Sequence, residues 1–299
     1  MTEKLVHGIW PALCTAFDDS GDSVDGERQR NLVGRLIDSG IQGFFVCGGT
    51  GEGMAMSIPE RMKVAEVVAH EVAGAVRLIL QVGGTSTENG IKLAQHAARI
   101  PGIDGIASVA PVDAPNNLEA ATTHYSAIGN ASDLPFFVYW LSQEADKTAT
   151  ADNFLNAMQN VPNFAGVKFT DNDLYLFGQL VDLSDGKLNA ISGPDQMALP
   201  AMTMGSDAAI GTTYNIMPEI FLKMRRYFEE GNISAAQKCQ TNANRVIRIL
   251  IEVGVLPGVK QLLADRNIPV GPTRIVSPLD KHEIETLHSK LAQLEFDVQ

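Results

Sequence analysis

Cysteine is scarce in this 299-residue chain, which has only Cys14, Cys47 and Cys239. An odd, widely spaced set gives no disulfide framework and fits a reducing cytosol, and none has the close spacing of a zinc site. Basic residues are short too, 23 against 35 acidic, for a formal charge of −12. Such a chain repels nucleic-acid phosphates and anionic membrane surfaces, so neither is an expected partner. A small anionic substrate stays open, because a local cluster of donors binds one within a negative field. The N-terminus, MTEKLVHGIW, has no long apolar signal region, and no apolar run reaches membrane-spanning length. Pro/Ser-rich linkers and low-complexity segments are missing as well. The expectation is a cytoplasmic, soluble protein.

What is present is a regular alternation. Short apolar runs lie at 8–17, 43–49, 77–83, 105–111, 135–141, 164–170, 188–193 and 207–213, and amphipathic stretches separate them. Near-continuous apolarity in each run means burial on both faces, as in parallel strands covered by helices. Ser57 and Glu60 form a capping box ahead of one helix, and Thr85 with Glu88 offers the same signal ahead of the next. Gly40, Gly74, Gly102 and Gly186 stand where helices should end. Eight strand–helix repeats near a thirty-residue period predict a (β/α)₈ barrel of the TIM type, although a doubly wound sheet also alternates. Beyond about residue 215 the pattern is helical only, over 217–230, 232–253, 255–266 and 279–295. The expected division is a barrel over 1–230 and a helical extension over 231–299, packed on the barrel.

In such a barrel the chemistry sits at the C-terminal ends of the strands. That directs attention to Thr15, to Gly48 through Glu52, and to Tyr139, Lys168, Thr170, Gly193, Asp195 and Gly211 through Thr213. Lys168 is a charged residue in the apolar run Phe164-Ala165-Gly166-Val167-Lys168-Phe169. Desolvation favours its neutral amine, which attacks ketones to form imines. The competing reading is a lysine that snorkels to water or pairs with an acid. The loop Gly48-Gly49-Thr50-Gly51-Glu52-Gly53 is either a carboxylate or phosphate cradle or an ordinary turn, and it is not a Walker motif. Tyr139 either passes a proton or fills the core. Asp195 either meets substrate hydroxyls or caps the next helix. Cys47 reads as a small buried apolar residue, none of the histidines is assigned to catalysis, and Tyr214-Asn215 shape the turn after the eighth strand.

The order of these features resembles the dihydrodipicolinate synthase/N-acetylneuraminate lyase family. The likeness is carried by G-x-T-G-E after strand two, the tyrosine closing strand five and G-[VIL]-K-x-[TS] on strand six. It runs from Gly8-Ile9-Trp10-Pro11 to Gly271-Pro272-Thr273-Arg274. Gly166 through Leu174 and Ile210 through Asn215 look like its sialic acid lyase branch. The resemblance implies that Lys168 forms an imine with pyruvate and that Tyr139 positions the carboxylate and relays protons. It further implies that Gly49, Thr50 and Gly51 hold the carboxylate, and that Thr170, Gly193, Asp195, Gln196 and Thr212 face the rest of the substrate. A reversible carbon–carbon lyase follows, cleaving a sialic acid to pyruvate and an amino sugar. Neither metal nor organic cofactor is expected, and the implied assembly is a homotetramer.

Four departures from the branch pattern bear on substrate choice. Gly49 replaces a hydroxyl residue, and Asp195-Gln196 replaces D-E, removing a charge. The segment Tyr139-Trp140-Leu141-Ser142 replaces Y-[NH]-[IV]-P, so that a bulky Trp140 is expected to reshape the pocket. Val112-Asp113 replaces an aromatic pair, where synthases use a tyrosine from a neighbouring subunit as a proton relay. Ser142 through Asp146 also lack the arginine with which synthases bind a second carboxylate. The alternatives are therefore another 2-keto-3-deoxy acid aldolase or dehydratase, then a dihydrodipicolinate synthase, and last a non-catalytic ligand-binding barrel.

Overall fold

A computed structural model describes residues 4–84, 86–111, 117–141 and 150–294. Its strands are β1 (Gly8–Pro11), β2 (Gly43–Val46), β3 (Arg77–Gln81), β4 (Gly105–Ser108), β5 (Phe136–Leu141), β6 (Phe164–Thr170), β7 (Asn189–Ser192) and β8 (Ala208–Gly211). The intervening helices are α1 (Gly26–Asp38), α2 (Ile58–Val72), α3 (Thr87–Ala97), α4 (Leu118–Gly129), α5 (Ala151–Met158), α6 (Leu174–Leu183) and α7 (Ala198–Thr203). After β8 come α8 (Pro218–Glu229), α9 (Ile233–Val253), α10 (Val255–Asp265) and α11 (Lys281–Ala292). All seven ladders are parallel, in the order β1-β8-β7-β6-β5-β4-β3-β2. A parallel bridge between Ala12 and Phe45 and the bond from Leu13 N to Phe45 O, 2.9 Å, draw β1 and β2 together. The fold is thus the expected (β/α)₈ barrel followed by C-terminal helices.

The apolar residues separate into two layers, as the period of two in a strand requires. An outer layer joins strands to helices and contains Val138, Val167, Phe169 and Ala190. An inner cluster fills the barrel with Trp10, Phe45, Ile79, Phe137, Tyr139, Ile191 and Ile210. In β6, Phe164 and Phe169 both join the outer layer although five positions apart, an odd separation that strict alternation forbids. The β5–β6 register supplies the reason. Phe136 pairs with Phe164 but Phe137 pairs with Gly166, leaving Ala165 as an extra residue against the inner cluster. This bulge restores the phase, so that Lys168 and Thr170 turn inward.

Helix starts follow local chemistry. Ser57 and Glu60 make the expected capping box of α2, and Asp280 with Glu283 makes another at α11. The cap of α3 is Ser86, whose hydroxyl accepts from Asn89 N, where Thr85 had been expected; Thr85 lies outside the described residues. Gly40 and Gly74, both at positive φ, follow the C-caps of α1 and α2 directly. Gly102 and Gly186 stand further out, past ends already closed by Ala98 and Ser184.

Long-range polar contacts tie the last helices to the barrel mouth. Glu52, fully buried, forms an ion pair with Lys260 of α10 at 2.7 Å. Its other carboxylate oxygen accepts from the backbone N–H groups of Arg274 and Ile275. Gln240 of α9 accepts from Leu199 N at 2.9 Å and donates to Asp195 O at 3.1 Å. Replacing Lys260 with alanine strands the Glu52 carboxylate without its cation, which typically costs about 3–5 kcal/mol. The check is the urea unfolding midpoint of Lys260→Ala; a loss below about 1 kcal/mol, the scale of a surface pair, would contradict this account.

Candidate active site

Lys168 stands two residues from the end of β6, paired in register with Tyr139 of β5. Only 3% of its surface is exposed. The Nζ lies 3.9 Å from the centroid of the Tyr139 ring and 5.2 Å from that of Phe45, and it donates to Thr170 Oγ1 at 3.0 Å. Among the described residues no carboxylate forms an ion pair with it. Burial pushes its pKa down to about 7, against a smaller upward pull from the Asp195 charge. A large share of the amine is therefore uncharged at neutral pH, and it has aromatic faces for walls.

Opposite lies the Gly48–Gly53 loop after β2. Inside it, Glu52 N donates to Gly49 O and Gly53 N to Gly48 O. The N–H groups of Thr50 and Gly51 donate to no acceptor among the described residues, so two adjacent donors remain open to a carboxylate. Thr50 Oγ1 shares a hydrogen bond with Thr212 Oγ1 at 2.6 Å, and Thr15 Oγ1 donates to Gly51 O at 2.6 Å. A Cβ on Gly49 would sit 3.8 Å from the Tyr139 hydroxyl, so this tyrosine points at the loop. That is ordinary contact distance, so the Gly49 position has room for a side chain beside the tyrosine. Gly53 is forced by packing, since a Cβ there would lie 1.9 Å from Cys47 O.

Asp195 starts a short 3₁₀ turn after β7 and is 8% exposed. It caps neither that turn nor α7. Its carboxylate accepts instead from Thr212 N at 3.2 Å, Thr213 N at 2.7 Å and Thr213 Oγ1 at 2.6 Å, fastening the β7 loop to the turn after β8. Burial raises its pKa, and these three donors pull it back. Gly193 packs so closely on Thr170 that a Cβ would lie 2.0 Å from its Oγ1. Gln196 is exposed and lines a cavity of about 330 Å³ with Thr170, Gly193, Asp195 and Thr212.

Thus Lys168, Tyr139, Gly49, Thr50, Gly51, Thr170, Gly193, Asp195 and Thr212 gather at the strand ends, with Gln196 at the outer edge. Trp140 does not join them. Alternation along β5 turns its ring outward, stacked on Phe169 at 5.6 Å and edge-on to Phe154 of α5 at 5.2 Å, so its bulk does not fill the barrel mouth. Only its indole N–H reaches toward the site, 3.4 Å from Asp171. Val112-Asp113 and Ser142 through Asp146 lie outside the described residues. Cys47 is buried at φ +59, and burial pushes its thiol up to about 11. Tyr214-Asn215 form the expected turn, with Asn215 Nδ2 donating to Ala12 O and Thr212 O. Glu52 was quoted in the loop motif without a role of its own. A carboxylate between two obligatory glycines was the available sign that it anchors the loop.

A (β/α)₈ barrel with a buried lysine of lowered pKa at its mouth is the frame of an imine-forming enzyme. A model of the dihydrodipicolinate synthetase family matches residues 5–294, and the chain belongs to that family. The N-acetylneuraminate lyase of Rhizobium meliloti is 35% identical over 90% of this chain and 88% of its own length. That of Citrobacter koseri is also 35% identical, over 97% of this chain and 98% of its own. Among solved structures, native N-acetylneuraminate lyase from Aliivibrio salmonicida superposes with a TM-score of 0.91 at 26% identity, covering 99% of both chains.

The lowered pKa has a direct consequence for reactivity. Below pH 7 the Lys168 amine binds a proton and cannot attack; above it the amine is free. Its rate of reaction with an amine-selective reagent should therefore rise through about pH 7 and level off, rather than climb toward the ordinary lysine value of 10.5. Peptide mapping across a pH series measures this, and a half-maximal rate near 10 would contradict it.

Proposed function

We propose that this protein is a class I pyruvate lyase that cleaves N-acetylneuraminate to N-acetylmannosamine and pyruvate. The observation that carries the proposal is the buried Lys168 amine, lowered to about 7 and held beside Tyr139 and Thr170. The full-length likeness to N-acetylneuraminate lyases supports the choice of substrate. The open N–H groups of Thr50 and Gly51 receive the keto-acid carboxylate, placing C2 against Nζ. Attack by the neutral amine and loss of water give a protonated imine. That imine accepts the electron pair of the C3–C4 bond once the C4 hydroxyl gives up its proton. Tyr139 relays this proton and returns one to C3 of the enamine, and hydrolysis frees pyruvate and Lys168. No step needs a metal or an organic cofactor.

Thr170, Gly193, Asp195, Gln196 and Thr212 face the sugar-derived half in this reading. The neutral Gln196 favours a second reading, another 2-keto-3-deoxy acid aldolase or dehydratase. A carboxylate at 196 would accept two hydroxyl bonds, and charge-assisted bonds are about twice as strong as neutral ones. The division into a 1–230 catalytic barrel and a 231–299 extension, a homotetrameric assembly and a cytoplasmic location belong to the same proposal.

Borohydride with pyruvate should fix a covalent adduct on Lys168, located by peptide mass spectrometry. Folded protein with an unmodified Lys168 peptide in excess pyruvate would end the imine mechanism. Lys168→Ala should lose turnover and keep its fold. Tyr139→Phe should lower kcat by roughly 10²-fold or more, the usual scale for a lost acid–base group. An unchanged kcat would place the proton relay elsewhere. Assays on N-acetylneuraminate and a shorter 2-keto-3-deoxy acid, with Gln196→Glu in parallel, separate the two readings. A gain for the sialic acid alone would place residue 196 on its hydroxylated tail.

A further inference from the structure

The outer cavity beside Lys168 has two unlike walls. One is polar and includes Thr170, Asn172, Gln196 and Thr212. The other is aliphatic and consists of Ile247, Ile251 and Val255. Ile247 and Ile251 stand one turn apart on α9, so their side chains share a face. Ile247 is 4% exposed and Ile251 62%. Gly254, at φ +107, breaks α9 from α10 and makes Val255 the first residue of the new helix. A lone exposed isoleucine on a surface needs no explanation. Three β-branched side chains that line a cavity of about 330 Å³ together with polar residues do call for one. The cavity adjoins the reacting amine through Thr170, whose hydroxyl accepts from Nζ.

A polyhydroxylated substrate pressed against this wall would strip water from its hydroxyls and offer them no partner. The tail of the substrate proposed above is hydroxylated throughout, and its one apolar group is the methyl of the acetamido substituent. Resting on that reading, we propose that Ile251 and Val255, backed by Ile247, receive the N-acyl methyl group while the polar wall takes the hydroxyls. These aliphatic residues then determine specificity: they distinguish acylated from non-acylated sugar acids and leave the chemistry at Lys168 alone.

The test compares N-acetylneuraminate with its counterpart carrying a hydroxyl in place of the acetamido group. KM and kcat are measured for the parent, Ile251→Ser and Val255→Thr. Ile251 is largely exposed, so its truncation should leave the melting temperature nearly unchanged. Val255→Thr keeps the side-chain outline and adds a hydroxyl. For N-acetylneuraminate, KM should rise about three- to five-fold in each variant, the scale of one buried methyl group. For the hydroxyl counterpart KM should stay or fall, and kcat should hold for both. Equal changes for the two substrates, or no change for either, would overturn the assignment. Borohydride trapping of pyruvate on the same proteins tells the two failures apart. If Lys168 is trapped and neither sugar acid is cleaved, the substrate reading fails and this assignment with it. If both are cleaved with parallel KM values, the assignment fails alone.

Discussion

Water is kept from one amine, and the surrounding side chains are arranged by that exclusion. Lys168 is 3% exposed among the rings of Tyr139 and Phe45. A charged ammonium there would lose its hydration, and burial favours the neutral form by pKa alone. A carboxylate in contact would undo this by holding the proton on nitrogen. Asp195 is near enough for its charge to be felt by Lys168, yet its oxygens are taken by Thr212 N, Thr213 N and Thr213 Oγ1. The aspartate is thereby satisfied without a cation. Thr170 supplies the only hydrogen-bond acceptor to Nζ among the described residues, and a neutral hydroxyl does not fix a charge.

A second buried lysine makes the contrast. Lys260 is as deeply buried, at 4% exposed, but it meets Glu52 at 2.7 Å and also donates to Pro272 O at 2.9 Å. Here the buried lysine sits in a close ion pair. Its purpose is mechanical. Glu52 occupies a left-handed position, φ +53, between Gly51 and Gly53, and its carboxylate is pinned by α10 and by the backbone at 274–275. The loop that presents the Thr50 and Gly51 N–H groups is thus clamped from behind, by residues about two hundred positions later in the chain. A loop so rich in glycine would lose much conformational freedom on ordering, and the clamp offsets that cost.

Strand positions were legible because burial on both faces writes itself as unbroken apolar runs, and β6 fell on residues 164–170 as read. The lysine was legible because it interrupts such a run. Trp140 was misread because its neighbour Tyr139 is the one that faces the barrel interior. In a strand, adjacent residues face opposite ways, and inward Tyr139 obliges Trp140 to pack on Phe154 and Phe169. The bulge at Ala165 was visible only as a broken alternation between Phe164 and Phe169, a weak signal until the register with β5 is known. The engagement of Asp195 with the β8 turn could not be read at all. Its partners are seventeen and eighteen residues away, and nothing in a local pattern marks an acceptor for a distant turn.

In the proposed reading, the chemistry and the selectivity are carried by different parts of the chain. Lys168 and Tyr139 are held by strand register, which changes only if the barrel changes. The outer cavity is set by one face of α9. Gln240 donates to Asp195 O and Asn244 to Gln196 O, fixing the loop after β7, while Ile247 and Ile251 form the facing wall. These four residues fall at helical spacing, so a single surface of one helix positions both sides of the cavity. Substitution along that surface reshapes the outer cavity without altering what surrounds the amine. Gln196 is one exposed residue on a loop whose backbone α9 already holds. A change of side chain there alters hydrogen bonding but not the shape of the wall opposite. In that reading the helix face, which sets the shape of the wall, constrains the aldehyde half more strongly than position 196 does.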